Sequence, residues 1–126
     1  MLNKLVRDNI PTEMQRVGQK PAVRKLNDAE YKQELIKKLS EEAAELQASD
    51  SAGAVKELGD LLEVIEALAA AFGADLEQIQ AAQAQRKAKM GGFAKRLYIG
   101  RLDLADDDKW VDYYANEPAR YPEVKG

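Results

Sequence analysis

The strongest constraint on how this chain folds is a pair of acid clusters on either side of one short turn. Glu41-Glu42-x-x-Glu45 precedes Ser49-Asp50-Ser51, and Glu57-x-x-Asp60 follows it. Glu45 and Glu57 each lie six residues from Ser51, and Glu42 and Asp60 each lie nine. At about 1.5 Å of rise per residue, an antiparallel helical hairpin turning at Ser51 sets each pair at one height. Facing carboxylates are the way a helical bundle builds an oxygen-ligand metal site, which suits chemistry on a polyanion.

Local signals predict the helices of that hairpin. Asn27 with Glu30 makes a capping-box start for a long helix to about Ala48. Ser49-Asp50-Ser51 offers caps for a second helix over about 52–72, closed by Gly73. Asp75 caps a third helix through about Met90, ended by Gly91-Gly92. Before these, residues 1–9 read as an extended lead-in, and Pro11 suits the first turn of a short helix stopped by Gly18. Residues 22–26 and 94–100 alternate well enough for at most a short two-stranded β element. From Asp103 the chain turns acidic and then aromatic, with Trp110, Tyr113, Tyr114, Tyr121, Pro118 and Pro122. With no repeat or linker, the expectation is one all-α domain over 1–126, with a core of about 3–100 and a C-terminal arm over 103–126.

Composition narrows the chemistry. The 126 residues suit one compact core, and 45% hydrophobic with 33% charged residues describes an ordered, charge-rich helical protein. A net charge of −3 argues against a nucleic-acid grip through a large basic face. The longest apolar run, residues 67–72, falls far short of a membrane span, and no secretory h-region is visible, so no membrane partner and a cytoplasmic location are expected. The chain has no Cys and no His. Any side-chain metal site must therefore use oxygen, which favours Mg²⁺, Mn²⁺ or Ca²⁺, and catalysis must run on carboxylates, Lys, Arg and metal-bound water.

Acidic pairs on helices usually face water, but the placement of these acids is different. On the first long helix Tyr31, Leu35, Leu39 and Leu46 form one stripe, with Glu42 near its centre, Glu45 on its flank and Glu41 toward the polar side. On the second, Val55, Leu58, Leu61, Leu62, Val64, Ile65 and Leu68 cover most of the circumference. Lys56, Gly59, Glu63 and Glu66 share the one narrow polar arc, and Glu57 and Asp60 lie outside it. A carboxylate in an apolar seam is costly without a cation or donor. Local pairing with Lys37, Lys38 or Lys56 accounts for Glu41 more easily than for Glu42, Glu57 and Asp60. A helix apolar nearly all round also needs a second layer to cover it.

The acid motif is similar to the signature of the all-α nucleoside triphosphate pyrophosphohydrolases, the MazG-like superfamily. The opening Asn3-Lys4-Leu5-Val6-Arg7-Asp8-Asn9-Ile10-Pro11, and Lys87 before Gly91-Gly92-Phe93, resemble the flanking motifs of its phosphoribosyl-ATP pyrophosphohydrolase-like branch. The matches run from residue 3 to about 100. One departure is the eleven-residue spacing between Glu45 and Glu57, at the short end for the family. The resemblance implies a hairpin-based four-helix bundle, assembled as a homodimer or higher oligomer, with Mg²⁺, or Mn²⁺, on the acidic helices. It makes Glu42, Glu45, Glu57 and Asp60 metal ligands and Glu41 the acid that orients or activates water. Lys4, Arg7, Arg86 and Lys87 would face phosphate, with Lys87 stabilising charge on the leaving group. The implied reaction is cleavage of a nucleoside or deoxynucleoside triphosphate between the α- and β-phosphates, in nucleotide-pool house-cleaning. Hydrolysis of phosphoribosyl-ATP in histidine biosynthesis and a non-catalytic helical interaction module are the alternatives.

Overall fold

The structure, a computed structural model, describes residues 2–120; Tyr121 and Pro122 of the aromatic arm lie outside them. Among the described residues the protein is all-α. Its helices are α1 Ile10–Arg16, α2 Asp28–Ala48, α3 Ser51–Ala71, α4 Leu76–Met90 and α5 Val111–Ala115. The chain divides into two compact units, Met1–Lys89 and Met90–Gly126.

In the first unit the expected caps form. The Asn27 side chain accepts from the Glu30 amide at 2.9 Å, and the Glu30 carboxylate accepts from the Asn27 amide at 3.3 Å, which starts α2. Asp50 caps α3 by accepting from the Gly53 amide at 2.8 Å. At the end of α3, Gly73 adopts φ 77°, and the amides of Gly73 and Ala74 donate back to the carbonyls of Ala70 and Ala69. This arrangement needs a residue tolerant of the left-handed region. Asp75 and Gln78 cap α4 reciprocally, each side chain accepting from the other's amide at 2.8 and 2.9 Å.

Helices α2 and α3 pack against each other as the hairpin. Its buried apolar centre, among the described residues, consists of Leu35, Val64 and Ala69. Helix α4 packs on neither, and its side chains are exposed throughout. A short, exposed helix of this kind is marginal by itself in water.

No strand occurs among the described residues, so 22–26 and 94–100 are irregular chain rather than a paired β element. The reasons are local. Arg24 turns to Glu30, 3.0 Å away, at the start of α2. In the second unit Arg96 closes a turn onto the Phe93 carbonyl and has φ 59°, a left-handed conformation that a strand cannot contain. Alternation in so short a segment does not outweigh such a turn.

The second unit also holds a short helix, α5, that no sequence pattern announces. Asp108 accepts from the Trp110 amide at 2.9 Å just before α5. The rings of Trp110 and Tyr113 meet edge to face at 5.5 Å, and those of Tyr113 and Tyr114 at 5.2 Å. Five residues are too few for a readable helical period.

Candidate metal centre

The turn between α2 and α3 decides which acids meet. Helix α2 ends at Ala48 and α3 begins at Ser51, so the connection is Ser49-Asp50 and its centre precedes Ser51. The Ser49 hydroxyl closes the end of α2 by donating to the Glu45 carbonyl at 2.7 Å. Glu42 lies six residues inside the end of α2 and Glu57 six residues inside the start of α3, and their carboxylates meet. Of the expected pairings, Glu42 with Asp60 is formed, with Glu57 in the same group, while Glu45 lies outside it.

Glu42 and Glu57 are each only 8% exposed. One carboxylate oxygen from each of Glu42, Glu57 and Asp60 can be chosen so that all three lie within 4.8 Å of one another. Asp60 joins them because it follows Glu57 by three residues, nearly one helical turn. The Oε2 atoms of Glu42 and Glu57 are buried without a hydrogen-bond partner. Leaving such an oxygen unsatisfied costs about 1–3 kcal/mol, and more when it is charged. Burial first raises the Glu42 carboxyl, to about 7; the adjoining Glu57 carboxylate and the charges of Glu45 and Asp60 add to the shift.

These residues fit a divalent cation. Ligand oxygens around Mg²⁺ at about 2.1 Å lie roughly 3.0–4.2 Å apart, so the three carboxylates need only contract slightly. The two buried oxygens lacking partners are the atoms such an ion would satisfy. Of the nearby cations, Arg7 alone touches the group of three directly. Arg7 donates to Asp60 Oδ1 at 2.8 Å. Lys56 Nζ stands 3.8 Å from Glu57 and 3.9 Å from Asp60, and Lys38 Nζ stands 3.9 Å from Glu41.

Arg7 comes from the lead-in segment, which lies against the hairpin. Lys38 Nζ donates to the Leu5 carbonyl at 3.2 Å and holds that segment in place. Between them lies a cleft of about 480 Å³ whose walls include Val6, Arg7, Tyr31, Lys38, Glu42 and Asp60. Glu42 and Asp60 therefore border a space with apolar, aromatic and cationic sides.

The remaining candidates are placed as follows. Glu41 is half-buried beside Lys38. Glu45 is exposed and outside the group of three, although its charge still acts on Glu42. Lys4 is exposed, and Arg86 and Lys87 are exposed near the end of α4, which is not packed on the acid-bearing helices. The sequence pattern marks Lys38 and Lys56 only as local partners of the acids. Their i,i+4 spacing to Glu42 and Asp60 was the signal that could have placed them at the site.

No protein-family model matches the chain, and no solved structure matches it. An uncharacterized protein of Mycolicibacterium smegmatis (strain ATCC 700084 / mc(2)155) is 46% identical over 56 residues, which is 44% of this chain. The matched region spans 57% of that protein's length.

Proposed function

We propose that this protein is a Mg²⁺-dependent nucleoside triphosphate pyrophosphohydrolase, cleaving between the α- and β-phosphates to give nucleoside monophosphate and pyrophosphate. The observation that carries this reading is the buried Glu42–Glu57 pair with its two unpartnered oxygens, grouped with Asp60 beside a cleft that Glu42, Asp60, Arg7 and Lys38 line. The motif resemblance supplies the substrate class. Glu42, Glu57 and Asp60 would hold the ion, and Glu45 would complete the ligand set from the exposed flank. The chemistry that Mg²⁺, or Mn²⁺, supplies when bound is neutralisation of phosphoryl charge and acidification of water. Glu41 orients the attacking water and accepts its proton, while Arg7 and Lys4 face the phosphates. Arg86 and Lys87 reach the leaving pyrophosphate only in an assembly that brings α4 to an acid-bearing hairpin. The biological role in this reading is clearance of surplus or non-standard nucleotides.

Pyrophosphate release from canonical, deoxy and modified triphosphates, with and without Mg²⁺, tests the reading. Release that requires the ion is the expected result, and no release from any triphosphate overturns it. Phosphoribosyl-ATP belongs in the same panel, because its preferential hydrolysis would assign the protein to histidine biosynthesis.

The same proposal includes a homodimer. Val55, Leu58, Leu62 and Ile65 on α3 alternate in steps of three and four residues, the spacing of a helix–helix seam, yet are 38–73% exposed. A second copy presenting the same stripe about a two-fold axis would cover it. Sedimentation of Leu62→Asp is expected to give a monomer where the wild-type chain gives a dimer or larger species; a monomeric wild-type chain refutes the assembly. The stripe also favours the second reading, a non-catalytic interaction module, which predicts no response to Mg²⁺ at all.

A further inference from the structure

Tyr31 carries an aromatic face and a hydroxyl that the hairpin does not use. It is half-buried on α2, its hydroxyl has no hydrogen-bond partner, and its ring meets no other ring among the described residues. It lines the cleft of about 480 Å³ that Glu42 and Asp60 border. It also lines a second recess, of about 350 Å³, with Lys32 and Ala71. The ring thus borders two open spaces and stands outside the apolar centre of Leu35, Val64 and Ala69.

Distance and charge suit the cleft to a ligand with two unlike ends. Tyr31 precedes Glu42 by eleven residues on one helix, so the two stand about 16 Å apart along α2. The volume falls within the range of about 300–1,000 Å³ common to small-molecule clefts. Val6, Ile10, Leu35 and Val64 give it apolar walls. Asp8 and Glu63 line it too, and with Glu42 and Asp60 they outnumber its two cations, Arg7 and Lys38. Such walls repel a polyphosphate except where a divalent ion offsets them, and they leave an uncharged planar group free to enter.

We propose that this cleft is the nucleoside subsite and that Tyr31 stacks on the base, with the phosphates gathered at the Glu42–Asp60 end. The proposal rests on reading the acids as the metal centre of a triphosphate hydrolase, and it adds the seat of the base and the direction in which the substrate lies. Every base has a π-face, so a stack on Tyr31 supplies affinity with little choice among bases.

The test uses equilibrium dialysis in the presence of Mn²⁺ on wild type, Tyr31→Leu and Tyr31→Phe. The two probes are an α,β-methylene nucleoside triphosphate, which resists cleavage, and tripolyphosphate, which has no base. A base stacked on an aromatic side chain contributes roughly fivefold to a hundredfold in affinity. Tyr31→Leu is expected to bind the nucleotide at least about tenfold more weakly than wild type and tripolyphosphate equally well. Tyr31→Phe is expected to keep both affinities, because the hydroxyl has no partner to lose. Equal nucleotide binding by wild type and Tyr31→Leu overturns the subsite and leaves the metal centre standing. A parallel loss of tripolyphosphate binding overturns it as well, since stacking acts on the base alone. Absence of Mn²⁺-dependent binding of either probe to wild type, with no pyrophosphate released from any triphosphate, overturns the functional reading and the subsite together.

Discussion

Glu42→Gln and Asp60→Asn are expected to lower pyrophosphate release at least about a hundredfold while leaving far-UV circular dichroism unchanged. Loss of residues that merely support metal ligands costs about 10–100-fold, and loss of a ligand itself costs more. Both substitutions preserve shape. Glutamine fills the space of a Glu42 carboxyl that is largely protonated below about pH 7, and asparagine still offers Arg7 an acceptor. The helices have local caps and the hairpin keeps its apolar contacts, so activity and fold separate. Near-normal release by both variants would sink the assignment of these acids, whatever the substrate.

The second large effect is on stability, and its sign follows from Glu42. The carboxyl is raised from 4.5 to about 7 in the folded protein, so between those values the folded state binds more protons than the unfolded state. Stability from this group is therefore fully present below about pH 4.5 and is lost as pH rises through about 7. The full shift corresponds to about 3 kcal/mol, an upper figure because Asp60 and Glu45 remain in contact with water. Urea unfolding at pH 5 and pH 8 is expected to show wild type losing stability relative to Glu42→Gln, in which the titrating group is absent. Added Mg²⁺ at pH 8 restores stability to wild type, because an ion replaces the proton at the buried oxygens. A wild-type protein that tracks Glu42→Gln at both pH values would show that Glu42 is ionised at ordinary cost.

The extent of the long helices was legible because their ends are local. Asn27 with Glu30, Asp50, Gly73 and Asp75 with Gln78 act through hydrogen bonds or backbone geometry within a few residues, and each stands where the sequence places it. The burial of Glu42 and Glu57 was legible as well, since the helical period alone sets them in apolar stripes. The segments at 22–26 and 94–100 were not. Their pairing depended on a long-range partner, and a left-handed Arg96 and the Arg24–Glu30 ion pair give those residues other geometry. The engagement of Arg7 with Asp60 spans 53 positions and left no mark in any local pattern.

By itself, then, the sequence determined an all-α protein, the bounds of its long helices, and the inward turn of Glu42, Glu57 and Asp60. Only the tertiary structure decided which acids stand face to face. The connection uses two residues, Ser49 and Asp50, and so sets the slide of α3 along α2. That slide brings Glu57 and Asp60 to Glu42 and leaves Glu45 exposed. Helical periodicity determines the direction a side chain takes around its own axis. Its height against a neighbouring helix is a property of the turn and of the packing between the two.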